Sequence, residues 1–85
     1  MKKTFVVIGA TWFDKVNGNT YCNAKIIDTA TGDEMFTGFG YGYDRMYFHR
    51  AQDLLKSLGE DLEEITILDG GCFKMSKSDL RNNNF

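Results

Sequence analysis

The side chains most often used in enzyme chemistry are few in this sequence and widely spaced. His49 is the single histidine, and Asp53 follows it four residues later. Such a pair on a helix is ordinary surface electrostatics, and a general base needs further partners. The sequence also lacks a His-Glu-x-x-His run and a phosphate-binding Gly-x-x-x-x-Gly-Lys loop. We therefore expect a protein without catalysis and without a cofactor.

The residues that could bind a metal ion are also not grouped in the sequence. Cys22 and Cys72 are far apart in the sequence and belong to no Cys-x-x-Cys pair. Two such thiols make neither a zinc site nor a disulfide framework, so we expect reduced thiols unless the fold brings them within bonding distance. The acidic residues near the turns are interpreted as turn formers, because a calcium loop needs a denser ladder of oxygen ligands.

Glycine and aromatic residues alternate strictly from Gly38 to Tyr43. In a strand successive side chains point to opposite faces, so Phe39, Tyr41 and Tyr43 would share one face and bare backbone would form the other. Glycine weakens a strand, and three glycines at this spacing indicate that another group approaches closely. That group is expected to be either the rings of neighbouring strands or a bound partner.

Length and charge restrict the function classes. A chain of 85 residues with 42% hydrophobic residues is one small globular domain. The formal net charge of -2 gives no general attraction to nucleic acid or to anionic membranes. No apolar run has the length of a signal peptide core or a membrane span, so we expect a soluble, cytoplasmic protein. We assign residues 1–76 to a single domain and the polar residues 77–85 to a flexible tail.

Two turn signals divide the first half of the chain. Asn17-Gly18 predicts a two-residue hairpin turn, and Thr31-Gly32 is interpreted as a second one. Strands are expected over residues 4–13, 20–29 and 34–43, with Cys22 opposite both Phe13 and Tyr41. One predicted face collects Phe5, Val7, Phe13, Cys22, Ala24, Ile26, Phe39, Tyr41 and Tyr43. The other collects Val6, Ile8, Trp12, Tyr21, Asn23, Lys25, Ile27 and Phe36, together with Gly38, Gly40 and Gly42.

The apolar period changes to three and four residues after Asp44, through Ala51, Leu54, Leu55 and Leu58. We predict a helix over residues 45–58, with Asp44 as N-cap and Gly59 as the residue that ends it. The helix should cover the face that carries the rings. Residues 65–75 are expected to form either one strand or a short hairpin. The predicted class is α+β: an antiparallel meander of three strands, one helix packed on the sheet, then a C-terminal strand or hairpin.

Two resemblances bear on function. Gly38-Phe-Gly-Tyr41 resembles the strand of RNA-recognition domains whose aromatic residues stack on unpaired bases, although Thr37 replaces the usual basic residue. Trp12-Phe-Asp-Lys15, Gly18-Asn-Thr-Tyr21 and Tyr41-Gly-Tyr-Asp44 resemble a pattern in small uncharacterised bacteriophage proteins. Ser76-Lys-Ser-Asp-Leu80 is similar to the Lys-Lys-Asp-Leu with which many of their tails end. This second resemblance implies a phage or prophage origin in a bacterial cytoplasm and no particular chemistry.

The expected function is therefore binding. The main hypothesis is a protein-interaction module, for example one that inhibits a host enzyme or a defence factor, with Trp12 and Tyr21 on an exposed strand face. The same face is also expected to be able to form a homodimer. The alternative is a binder of single-stranded nucleic acid or of a nucleotide-type ligand. The candidate binding residues are Trp12, Tyr21, Gly38, Gly40, Gly42 and Tyr43, with Lys15, Lys25 and Arg45 as the cations.

Overall fold

The structure is a computed structural model that describes residues 3–85, so residues 1 and 2 of the predicted domain lie outside the described part. Residues 3–85 form five strands and two helices. The strands are β1 (Lys3–Asp14), β2 (Asn19–Asp28), β3 (Glu34–Phe36), β4 (Gly40–Tyr41) and β5 (Ile65–Lys74). The helices are α1 (Met46–Ser57), between β4 and β5, and α2 (Lys77–Arg81), after β5.

The five strands form one mixed sheet with the order β3-β2-β1-β5, and β4 also pairs with β2. β1 is antiparallel to β2 and parallel to β5. The α+β class is confirmed, but the sheet is not a simple antiparallel meander. The reason is that the chain crosses over through α1 before it enters β5, so β5 runs in the same direction as β1. Parallel strands need such a crossover connection. Residues 65–74 form one strand whose register shifts opposite Val7–Gly9, around Gly70-Gly71.

Both hairpin loops are longer than the predicted two-residue turns. Asp14 pairs with Asn19, so four residues connect β1 to β2. The Asp14 carboxylate accepts a hydrogen bond from the Val16 amide at 3.0 Å, and the Gly18 amide donates to the Asp14 carbonyl at 2.8 Å. Asp28 repeats this arrangement, and the Gly32 amide donates to its carbonyl at 2.7 Å. The spacing Asp-x-x-x-Gly is the sequence signal for both loops.

The longer first loop shifts the register of β1 against β2 by two residues. Thr11, rather than Phe13, lies opposite Cys22. Because side chains alternate with a period of two, this shift leaves each residue on the face predicted for it. The residues of β1 and β2 therefore keep their predicted faces.

The third predicted strand is broken, and the break places its aromatic side chains on the face opposite to the predicted one. Continuing the pairing of β3 would place Phe39 opposite Cys22, but Gly40 lies there. The extra residue is accommodated at Gly38, whose φ of 93° is in the left-handed region that favours glycine. The Thr37 hydroxyl accepts from the Ala24 amide at 3.0 Å at this interruption. The prediction that the rings face the helix is wrong, because a shift of one residue exchanges the two faces.

Helix α1 packs on one face of the sheet, here called the helix face. Its core consists of Phe5, Val7, Cys22, Ala24, Ile26, Tyr47, Ala51 and Leu55, all buried. The helix begins one residue later than predicted. Asp44 is not its N-cap but adopts a φ of 53°, and the N-cap Arg45 makes no side-chain capping bond. The predicted end is confirmed at Gly59, where the Glu60 amide donates to the Leu55 carbonyl at 3.1 Å.

Glycines on the helix face make room for side chains of α1. A Cβ added at Gly9 would collide with the ring of Tyr47. A Cβ at Gly40 would lie 2.9 Å from the Arg50 guanidinium, and one at Gly42 would lie 2.6 Å from Met46. Helix side chains thus approach Gly40 and Gly42, with Cys22 of β2 also close to Gly42, and not the neighbouring rings or a partner chain as predicted; no described atom lies within 4 Å of a Cβ placed at Gly38.

The opposite side of the sheet is here called the distal face. By register it carries Val6, Ile8, Ala10, Trp12, Tyr21, Asn23, Lys25, Ile27, Phe36, Tyr41, Leu68 and Phe73. Residues 77–85, predicted as a flexible tail, form helix α2 and the segment after it. Leu80 of α2 is fully buried, and the Ser76 hydroxyl caps the helix by accepting from the Asp79 amide at 3.2 Å. Burial of Leu80 is the physical reason why this polar segment is ordered on the sheet.

Gly9→Ala should destabilise the protein more than Gly40→Ala does. The Tyr47 ring over Gly9 is buried and cannot move aside, so the expected loss is about 1–3 kcal/mol in the free energy of unfolding. The Arg50 guanidinium over Gly40 is the end of a long side chain and can move aside by weakening its hydrogen bonds to the Cys22 and Thr37 carbonyls, so that loss should be smaller, at about 1 kcal/mol. Urea unfolding of both variants measures the difference. Equal losses would contradict the assigned packing of Tyr47.

Candidate binding site

Aromatic rings form a continuous row on the distal face. The rings of Trp12 and Tyr21 stack with centroids 5.8 Å apart, and those of Tyr21 and Phe39 stack at 5.0 Å. Tyr41 meets Tyr21 edge-on at 6.0 Å. The row exists because β4 is shifted by one residue, which turns its rings toward Tyr21. Trp12 and Tyr21 are thus brought together, as predicted, and Phe39 and Tyr41 join them.

The C-terminal segment of residues 76–85 covers this aromatic row. Lys77 Nζ lies 5.3 Å from the centroid of the Trp12 ring, and the Arg81 guanidinium lies 5.8 Å from that of Phe39. Trp12 and Tyr21 are consequently half-buried. The expectation of an exposed strand face built on these two residues is therefore corrected: much of that surface belongs to an intramolecular contact.

Asn23 holds the C-terminal segment against the sheet. Its side chain is fully buried at the centre of the distal face. The amide nitrogen donates to the Leu80 carbonyl at 2.9 Å and to the Asn83 side chain at 2.6 Å, while its oxygen accepts from the Gly38 amide at 3.0 Å. A buried amide must be satisfied in this way, and each bond is directional. Sequence reasoning missed this role, although a polar residue between Cys22 and Ala24 was the available signal.

A groove opens beyond the N-terminal end of α1, where the β1–β2 hairpin extends past the helix. Tyr47, in the first turn of α1, packs over Gly9, so the residues of β1 after Gly9 are left without a helix above them. The groove has a volume of about 490 Å³. Its lining consists of Thr11, Trp12, Phe13, Lys15, Thr20, Lys74 and Met75.

The groove combines aromatic, hydroxyl and cationic side chains. Of the predicted binding residues it contains Trp12 and Lys15; Phe13, Thr20 and Lys74 were not predicted. Phe13 is 53% exposed, because it lies beyond the N-terminal end of α1 and the helix does not cover it. Asp14 adjoins the groove, and the hydrogen bond from the Asn17 side chain lowers the pKa of its carboxyl group. That carboxylate is directed into the hairpin loop, where it accepts from the Asn17 side chain at 2.8 Å.

The other predicted binding residues lie elsewhere on the molecule. Lys25 pairs with Glu34 at 3.5 Å, and Arg45 pairs with Asp69 at 3.1 Å. Tyr43 is exposed next to the start of α1. Gly40 and Gly42 are covered by side chains of α1, and Gly38 lies in the break between β3 and β4. The fold therefore divides the predicted cluster among several places.

A polar contact fastens the start of α1 to the irregular part of β5. The Tyr47 hydroxyl donates to Asp69 at 3.0 Å, and the Gly71 amide donates to the same carboxylate at 2.9 Å. Burial, followed by the hydrogen bond to Asp69, raises the pKa of Tyr47 from 10.0 to about 12. A hydroxyl with that pKa stays protonated near neutral pH, so the contact positions the helix.

The remaining candidates for chemistry are dispersed. His49 is exposed on α1. Cys22 is buried and Cys72 is exposed, both as free thiols, and burial raises the pKa of the Cys72 thiol. Within residues 3–85 no three His, Cys, Asp or Glu side chains are grouped to hold a metal ion. Helices in that range are also too short and polar to cross a membrane.

Comparisons with protein-family models, curated proteins and solved structures found no match to this chain. The features of the molecule that bear on function are the groove, the covered aromatic row and the edges of the sheet.

Replacing Asn23 by alanine should loosen the C-terminal segment. The Gly38 amide and the Leu80 carbonyl would lose their partner, and we expect a loss of about 1–3 kcal/mol in the free energy of unfolding. Hydrogen exchange should accelerate at the amides of residues 76–82 more than in β1. Asn19→Ala on the same strand is the matched control, because the Asn19 side chain makes no hydrogen bond within the described residues. Unchanged exchange in Asn23→Ala would contradict the role given to Asn23.

Tyr47 should make the protein sensitive to alkaline pH. Its pKa is higher in the folded protein than in the unfolded chain, so its stabilising contribution is complete below pH 10 and is lost as pH rises through about 12. We expect the free energy of unfolding to fall across this window in the wild type and less steeply in Tyr47→Phe. An ultraviolet titration should show one late tyrosine that the variant lacks. Identical titration curves would refute the assignment.

Proposed function

We propose that this protein acts by binding another protein, without catalysis, and that the partner adds an extended segment to the free edge of β5. The observation that carries the proposal is the ten-residue length of this edge strand, which pairs with β1 alone among residues 3–85. An edge strand offers a row of unpaired backbone groups, and proteins commonly recognise extended peptides by adding a strand there.

Side chains on β5 support this edge as the contact. Leu68 is 51% exposed and Phe73 is 56% exposed, and both belong to the distal face by register. Half-buried Val6, Ile8 and Ile27 continue the apolar surface toward the centre of the sheet. The C-terminal segment packs over the other end of the distal face, at Trp12 and Phe39. A partner strand beside β5 would cover what remains exposed, with pockets for alternate side chains.

The resemblance to small bacteriophage proteins supports the further proposal that this protein acts in the cytoplasm of a bacterial host. In that setting the bound protein is a host enzyme or a defence factor, and binding would inhibit it. A second copy of the chain is the competing occupant of the same edge, since a two-fold axis can pair β5 with β5 of another molecule.

Introducing a charge on β5 tests the proposed contact. We expect wild-type protein to capture a defined protein from bacterial lysate and both Leu68→Lys and Phe73→Lys to lose that capture. The apolar contact would be replaced by a solvated charge, and a loss of at least about tenfold in retained partner is expected. Val16→Lys, at a 92% exposed position of the hairpin loop, is the matched control. Equal capture by all three variants would exclude the β5 edge.

Sedimentation of the purified protein separates the two occupants. A monomer over the whole concentration range supports a different protein as the partner. A dimer that dissociates in Phe73→Lys and not in Val16→Lys would assign the edge to self-association and remove the foreign partner.

The lysine-flanked groove favours a second candidate function, the binding of a nucleotide-type ligand. It lies at the other end of the hairpin from Leu68, so Leu68→Lys is the β5 variant that should leave the groove unchanged.

A further inference from the structure

We infer that the groove at the end of the β1–β2 hairpin binds a nucleoside phosphate. The groove is bounded by the hairpin loop on one side and by the end of β5 on the other, and it brings Phe13, Lys15 and Lys74 together. These residues come from two distant parts of the chain, and only the parallel pairing of β5 with β1 makes them neighbours. The site shares the end of β5 with the protein-binding edge proposed above, but it is tested at Phe13, Lys15 and Lys74 rather than at Leu68, so either proposal can fail without the other.

The cations are available for a phosphate. Within residues 3–85 neither Lys15 nor Lys74 forms an ion pair, whereas Lys3, Lys25 and Arg45 each have a carboxylate partner. Among residues 3–85 no acidic side chain lines the groove. Lys15 and Lys74 line the same groove, and the neighbouring Asp14 carboxylate is hydrogen-bonded into the hairpin loop, so the two lysines give the groove a local positive charge on a chain whose net charge is -2. An anion bound between them would accept charge-assisted hydrogen bonds from both.

The aromatic side chains favour a planar ligand. The exposed ring of Phe13 has no stacking partner among the described residues, whereas Trp12 is already stacked on Tyr21. A base lying on Phe13 would gain a stacking surface, and the hydroxyl of Thr20, which pairs with Phe13 across the hairpin, offers both a donor and an acceptor to the polar atoms of that base. The groove therefore presents one free ring next to two free cations, which is the chemistry that a base and a phosphate require.

The size of the groove limits the ligand to about one nucleotide. A volume of about 490 Å³ lies in the range of small-molecule sites. The same chemistry is met by a free mononucleotide and by one nucleotide of a single strand. The dependence of affinity on oligonucleotide length distinguishes these two ligands, because further phosphates on a strand would increase the affinity only if they also contact the protein.

The single tryptophan makes the test local. Trp12 lines the groove and is the only source of an indole N–H signal in the nuclear magnetic resonance spectrum. We expect adenosine, guanosine, cytidine or uridine monophosphate to shift this signal and to give a calorimetric binding curve at low salt. The unphosphorylated nucleosides should bind at least about tenfold more weakly, because they lack the group held by the lysines. No shift with any of the four monophosphates at millimolar concentration overturns the inference.

Substitutions then identify the groups. Lys15→Ala combined with Lys74→Ala should weaken monophosphate binding at least about tenfold, while Lys56→Ala, an exposed lysine on α1, should leave it unchanged. Phe13→Ala should weaken the nucleosides and the monophosphates alike, with Val16→Ala as control. These positions are exposed, so the variants should fold. Equal binding by the double variant and by Lys56→Ala would overturn the site, as would inorganic phosphate binding as tightly as the nucleotides.

An oligothymidylate series completes the experiment. Affinity that stays constant from mononucleotide to decamer assigns the groove to a free nucleotide. Affinity that rises with length and falls with salt, and that the double lysine variant removes, assigns it to the nucleotide of a single strand.

Discussion

The buried amide of Asn23 is the constraint on which the distal side of the molecule depends. An amide without partners would be costly in the middle of a sheet, and here the nitrogen and the oxygen of the amide bind two different parts of the chain. Its nitrogen holds the C-terminal segment through the Leu80 carbonyl, and its oxygen holds the break between β3 and β4 through the Gly38 amide. One side chain therefore holds both the C-terminal segment, which covers the aromatic row, and the break between β3 and β4, which turns the rings toward that row.

Opposite faces of β4 show why glycine and aromatic residues alternate in this chain. On the helix face the Arg50 guanidinium lies over Gly40 and donates to the carbonyls of Cys22 and Thr37, at 3.1 and 3.2 Å. A side chain at Gly40 would take the space of that contact. On the distal face Phe39 and Tyr41 extend the stack begun by Trp12 and Tyr21. The alternation thus satisfies two packing demands at once, and neither of them requires a ligand.

The surfaces left after this internal packing are the ones available for function. The molecule is elongated, with extents of 47, 20 and 19 Å, because the β1–β2 hairpin reaches beyond α1. At that end no helix of residues 3–85 covers Phe13, and one lysine of the hairpin loop and one of β5 line the same groove. Along the side, β5 presents its outer edge and the exposed Leu68 and Phe73. The two proposed activities use these separate surfaces, and the aromatic row contributes to the groove only through Trp12.

The sequence alone determined the class of the fold and most of the local structure. Four features could be predicted from the sequence because each depends on residues close in the chain. They are the strong β-propensity of β1, the helical period through Leu55, the end of the helix at Gly59 and the faces of β1 and β2. The tertiary structure decided the rest. The one-residue shift at Gly38, the position of β5 beside β1 and the docking of Leu80 arise from contacts between distant segments. A register shift of two residues leaves every side chain of a strand on its face, whereas a shift of one residue moves every side chain to the opposite face. The glycine-aromatic stretch therefore predicted that rings and glycines lie on opposite faces, but not which face carries the rings.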